Sequence, residues 1–143
     1  VRQVSHAAVI TAPCTVLAAC SPATVVDEGL ADAVACAVFL EAGHAQLSHE
    51  ADARLALRNI LVLPDLGATL GGLVVAYFER VQNVQSLMWD EYEVNRMLKG
   101  IVLKSFDEVW EYGRRQGVTL REAGYAIALQ RVCEAKRIRG IFP

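Results

Sequence analysis

The residues that could do chemistry gather where short apolar runs end. Ile60 to Leu63 is a run of branched apolar residues stopped by Pro64 and Asp65, which reads as a short buried strand of the parallel kind. A loop carrying Gly67 follows, and Gly71 and Gly72 lead into Leu73 to Val81, apolar on nearly every side. A helix without a polar face must be enclosed by protein. Strand, glycine-bearing turn and buried helix is the order that sets backbone amides beside a ligand at the carboxyl end of a strand in open α/β sheets. Metal chemistry has less support. His44 and His49 lie five positions apart, which on a helix aligns less well than four. Cys14, Cys20, Cys36 and Cys133 lack the paired short spacing of a zinc site. They sit mostly in apolar runs and read as buried, reduced thiols of a cytoplasmic protein. The chain contains no G-x-G-x-x-G, so the fingerprint that grips a dinucleotide pyrophosphate is missing from it.

The elements that must position these residues come in two kinds. Thr15 to Ala19 and Cys36 to Glu41 read as further strands, the second a continuous apolar run ending in a carboxylate and placed centrally. Val9 to Thr11 is a shorter β-prone run. Asp27 and Glu28 introduce a short helix expected over Gly29 to Ala35, and Ser48 is the expected N-cap of a helix from Glu50 to Arg58, which Asn59 ends. Beyond Asn83 the pattern changes to helices alone. Asp90 with Glu93 opens a long amphipathic helix whose positions Val94, Met97, Leu98, Ile101, Val102, Phe106, Val109 and Trp110 follow three-four spacing and are expected in a core. Gly113 or Gly117 closes it. Thr119 with Glu122 is a second capping pair, and its helix, carrying Leu129, Val132 and Cys133, ends near Arg139, Gly140 and Pro143.

Composition bounds the alternatives. The chain has 143 residues, 54% of them apolar and 21% charged, with a net charge of -2. That is a folded domain and not a disordered chain, and its charge gives no argument for nucleic acid or an anionic membrane as partner. Leu17-Ala18-Ala19-Cys20 mimics the cleavage box of a bacterial lipoprotein leader. Pro13 interrupts the apolar run before it and the charged start is a single residue, Arg2, so a strand is expected there instead.

Pro64-Asp65, Thr69-Leu70-Gly71-Gly72-Leu73 and Ala76-Tyr77-Phe78-Glu79-Arg80-Val81-Gln82-Asn83 together resemble the late cofactor-domain signature of the glutamate dehydrogenase family, which includes the leucine, phenylalanine and valine dehydrogenases. The resemblance continues through Glu41-Ala42, Glu50-Ala51-Asp52, Trp89, Glu91 to Val94, Gly117-Val118, Ala123 to Tyr125, Arg131-Val132 and Arg139-Gly140. It covers about residues 15–143 and leaves 1–14 unmatched. It implies the second half of a Rossmann-like dinucleotide-binding domain over 15–83, then helices over 84–143 that pack back on it. The expected fold is therefore α/β, a partial parallel sheet of about three strands followed by a helical segment.

The resemblance also implies NAD(P)-dependent oxidative deamination of glutamate or a related amino acid by the family. By the same resemblance, the acid-base lysine and aspartate lie in a substrate domain that these residues do not include. Cofactor positions carry over to Ala19, Cys20, His44 and Thr69, and a substrate position to Ala76. At His44 and Thr69 the family has asparagine; at Ala76 it has a serine whose hydroxyl meets the substrate carboxylate in glutamate-specific members; at Arg80 it has tryptophan. An imidazole does not reproduce the donor and acceptor pair of an amide, and loss of a hydroxyl removes a strong means of discrimination. The expectation is a supporting scaffold with altered ligand contacts: no catalysis and no bound NAD or NADP by these residues alone. Self-association or a dehydrogenase subunit is the expected partner. The alternatives are a non-catalytic interaction or regulatory partner of a full-length dehydrogenase, or a decayed gene product.

Overall fold

The computed structural model describes residues 3–140. The chain divides between Met88 and Trp89 into two compact units. The expected roles of Arg2 and Pro143 lie outside the described residues.

In the first unit three strands, β1 (Cys14–Ala19), β2 (Cys36–Glu41) and β3 (Leu61–Leu63), form one sheet among the described residues. All pairings are parallel and the order is β1-β2-β3, with Val16 opposite Val38, Ala19 opposite Glu41 and Leu40 opposite Leu63. The apolar run of β2 is central because both of its edges are paired, as its lack of alternation requires. Phe39 at its middle is fully buried, with Val26, Val34, Ala31, Ala51 and Leu55 around it.

Two short helices connect the strands, α2 (Glu28–Ala31) and α3 (His49–Leu57). Asp27 caps α2 by accepting from Leu30 N–H at 3.0 Å, and Ser48 caps α3 by accepting from Ala51 N–H at 3.1 Å. The first helix is shorter than the expected Gly29 to Ala35: Asp32 is its C-cap and the chain turns at once toward β2. Asn59 ends the α3 segment with φ at 58°, a left-handed conformation that asparagine tolerates better than most residues. Arg54 of α3 donates to Asp32 and Glu28 at 2.6 and 2.7 Å, and Arg58 donates to the carbonyls of Ala31 and Val34 at 2.6 and 2.8 Å. These bonds fix α3 against α2.

Three further expectations fail in this unit. Val9 to Thr11 is not a strand but the end of α1 (His6–Ile10), whose N-cap Ser5 accepts from Ala8 N–H at 3.2 Å. β-propensity acts through cross-strand neighbours, and a local cap decides the conformation here. The loop expected after Pro64 is a helical turn, α4 (Asp65–Ala68), followed at once by α5 (Leu70–Gln85). The enclosed helix expected over Leu73 to Val81 is present as a helix but is not enclosed. Leu73 is 73% exposed, Tyr77 64% and Val84 77%, and Phe78 is its buried residue. Its apolar faces exceed what one three-stranded sheet covers.

The second unit holds α6 (Glu91–Gln116) and α7 (Leu120–Arg139). Asp90 accepts from Glu93 N–H at 2.8 Å, and Thr119 with Glu122 makes the reciprocal capping box. Gly117, at φ 67°, and not Gly113, closes α6. Gly113 is buried where the chain turns back: an added Cβ would stand 3.2 Å from Val118 O and 3.6 Å from Ala123 Cβ. Arg131 pairs with Glu108 between the two helices, and Phe106 stacks on Trp110 at 5.9 Å. The core expected of every apolar position is not formed: Phe106, Trp110, Leu129 and Val132 are exposed, since a pair of helices buries one seam only. No helix among the described residues is long and apolar enough to cross a membrane.

Candidate functional site

The carboxyl ends of β1, β2 and β3 carry three turns, and two buried side chains bind them together. Glu41 closes β2 with its side chain fully buried. Its Oε1 accepts from Leu47 N–H at 3.1 Å and its Oε2 from Asp65 N–H at 3.0 Å. One carboxyl group thus fixes both the loop after β2 and the turn after β3. Asp65 extends the connection: Oδ1 accepts from Leu66 N–H at 2.8 Å and Oδ2 from Ala45 N–H at 3.2 Å. Gln46, also fully buried, does the same between β1 and β2. Its Nε2 donates to Ser21 O at 2.7 Å and His44 O at 2.9 Å, and its Oε1 accepts from Ser21 N–H at 3.2 Å. Ala42 and Gly43 donate to Ala19 O at 2.8 and 3.1 Å. Gly43 must lack a side chain, because a Cβ would lie 2.4 Å from Ser21 O and 2.8 Å from Gln46 Nε2.

Four of the five positions singled out in the sequence lie on these turns. Ala19 is buried and its carbonyl is occupied; Cys20 beside it is exposed. His44 projects outward, its side chain 85% exposed, with Nδ1 3.5 Å from Asp65 Oδ2. Thr69 donates its hydroxyl to Asp65 O at 2.8 Å. Ala76 stands apart in the second turn of α5 and is exposed, with a methyl group that offers no hydrogen bond.

The expectation of buried thiols is corrected: Cys14, Cys20 and Cys133 are free and exposed, and Cys36 is free and buried. Burial pushes the Cys36 thiol up. Among the described residues no group of three or more His, Cys, Asp or Glu side chains is placed to hold a metal ion.

Glu41 had a signal in the sequence, a carboxylate finishing an otherwise apolar buried run. Gln46 had none, since a glutamine in a polar loop is ordinary until the fold closes over it.

A phosphate cradle is made of backbone N–H groups aimed at open space. Here the N–H groups of Ala42, Gly43, Ala45, Leu47, Asp65 and Leu66 are all donated within the chain. The space beside Gly43 is filled by Ser21 O and the Gln46 side chain, and the six amides named are not available to a nucleotide phosphate. Three parallel strands in sequential order, with loops tied together at their carboxyl ends, define part of a Rossmann-like parallel sheet.

The family follows from direct comparison. The family model described as Glutamate/Leucine/Phenylalanine/Valine dehydrogenase matches residues 1–140, and the chain belongs to that family. It is 36% identical over 143 residues to an NADP-specific glutamate dehydrogenase of Halobacterium salinarum, covering 99% of this chain and 34% of that protein. It is 33% identical over 139 residues to an NAD-specific glutamate dehydrogenase of Staphylococcus aureus, covering 97% of this chain and 34% of that protein. Among solved structures, a hetero-hexameric glutamate dehydrogenase of Thermus thermophilus in a Leu-bound form superposes with a TM-score of 0.91 at 32% identity, over 97% of this chain and 33% of that one. The chain thus spans about a third of the length of the relatives it matches.

Proposed function

We propose that these residues are the supporting, carboxyl-terminal part of the cofactor domain of an amino-acid dehydrogenase. The reaction of the whole protein would be NAD(P)-dependent oxidative deamination of glutamate or a related amino acid to its 2-oxo acid and ammonia. In that setting Ala19 and Cys20 stand where the cofactor approaches, His44 and Thr69 near its nicotinamide end, and Ala76 at the substrate side chain. The bound cofactor supplies hydride transfer. The described side chains supply placement: Glu41 and Gln46 hold the three strand-end turns in one arrangement.

The observation that carries this reading is that the strand-end amides of Ala42, Gly43, Ala45, Leu47, Asp65 and Leu66 donate within the chain. Groups that already donate within the chain position a site without gripping a phosphate. The assay that tests it follows NAD(P)H formation by the purified 143-residue chain with glutamate, leucine, valine and phenylalanine. No turnover is expected; turnover by the chain unaided would overturn the reading.

A second reading is favoured by the residue types at His44, Thr69 and Ala76. With an imidazole, a hydroxyl and a methyl at these positions, the chain fits a non-catalytic member of a mixed dehydrogenase assembly. The Thermus thermophilus relative is itself hetero-hexameric. Co-purification with a complete dehydrogenase whose activity it changes would favour this second reading over the first.

A further inference from the structure

At the other end of the sheet, away from the tied turns, Cys14 and Cys36 are register partners on the adjacent parallel strands β1 and β2. Cys14 N–H donates to Ala35 O at 3.0 Å, so the strands are bonded at the level of the two cysteines. Neighbouring strands stand about 4.8 Å apart and register partners project to the same face. That spacing falls inside the Cα separation of about 4.4–6.8 Å that a disulfide spans. Cβ atoms carried straight across the gap stand further apart than the ~3.8 Å of a relaxed disulfide. A bond here would therefore form under strain and be readily reduced, as labile disulfides are.

The two thiols differ in access. Cys14 is exposed and Cys36 buried, and both are free. Burial, and then the neighbouring Cys14, push the Cys36 thiol up, while backbone hydrogen bonds at Leu17 and Cys36, and then Arg58, oppose them. Cys14 is thus the thiol that meets a reagent from solvent, and Cys36 the one placed behind it.

We propose that Cys14 and Cys36 form a dithiol site that is oxidised by small-molecule disulfides of the glutathione class. The Cys14 thiolate attacks one sulfur of the reagent, forming a mixed disulfide and releasing one small thiolate, which takes up the proton that Cys14 lost. Cys36 then loses its proton and attacks the Cys14 sulfur. The protein disulfide forms and the second small thiol leaves with that proton. Two protein thiols are oxidised to one disulfide, and one small disulfide is reduced to two thiols. The site is independent of any dehydrogenase activity.

The test incubates the full protein with oxidised glutathione, quenches with acid, alkylates, and maps peptides without reduction. The expected product is a peptide pair joined through Cys14 and Cys36, with loss of both as alkylatable thiols and their recovery on addition of reduced glutathione. In Cys36→Ala, glutathione should stay on Cys14; in Cys14→Ser, Cys36 should remain alkylatable after unfolding. Wild-type protein that keeps glutathione on Cys14 while Cys36 stays a free thiol would overturn the proposal. So would cross-links distributed equally over Cys20 and Cys133.

Discussion

The strand-end turns and helix α5 belong to the same compact unit and are built on opposite terms. At the turns, every side chain that matters has its partners inside the chain: Glu41 and Gln46 are fully buried and bonded on both sides. Along α5, Leu73, Tyr77 and Val84 are apolar and exposed. Unpaired polar groups are costly wherever water is excluded, so they are satisfied locally. Apolar surface is indifferent to which atoms cover it, so it can be left for whatever packs there. The difference separates what these residues complete by themselves from what they present.

Substitution of the buried carboxyl should have the largest effect. Glu41→Ala strips the acceptors from Leu47 and Asp65 N–H, and at about 1–3 kcal/mol for each buried group left unsatisfied, a loss of roughly 2–6 kcal/mol is expected in denaturant titration. A loss near zero would mean that water replaces the carboxyl group and that the turns are not bound through it. Gly43→Ala should follow, costing about 1–3 kcal/mol as overpacking against Ser21 O and Gln46, provided Gln46 is as firmly seated as its bonds imply.

On the other region the sign changes. Leu73→Glu with Val84→Lys removes exposed apolar surface, so stability should stay within about 0.5 kcal/mol while self-association in sedimentation velocity falls. A wild-type chain that is monomeric at the same concentration would show that α5 and the free sheet edges need no cover. The smallest effect concerns pH. Hydrogen bonds from its own N–H and then from Ser48 hold the Glu50 carboxyl below its usual range. A depressed folded-state value stabilises above the unfolded carboxylate range and is lost as pH falls through the folded one. Melting curves between neutral and acid pH should show a slightly steeper fall for wild type than for Glu50→Gln.

Much of the scaffold was legible because its signals are local. Ser48, Asp90 with Glu93, and Thr119 with Glu122 mark helix starts by bonds that span three residues, and the short unbroken apolar run of β2 fits a central strand. What escaped depends on the closed fold. The cap at Ser5 overrides the β-prone Val9 to Thr11. Gln46 becomes a structural centre only once Ser21 and His44 are brought to it. The apolar content of α5, and of the cysteine-bearing runs, points to burial that the fold does not fully provide, because composition reports how much surface is apolar and not whether this chain covers it. The chemical roles of His44, Thr69 and Ala76 come from the family resemblance; the structure adds that four of the five positions, Ala19, Cys20, His44 and Thr69, lie at one sheet end, with Ala76 outside them.

Fluorescence titration of NADH and NADPH into the purified chain asks directly whether these turns grip a coenzyme or only hold the framework around it. With the amides of Ala42, Gly43, Ala45, Leu47, Asp65 and Leu66 already bonded within the chain, no saturation is expected up to about 1 mM, the upper end of ordinary substrate affinities. Saturable binding below that, lost on Glu41→Ala, would contradict the account.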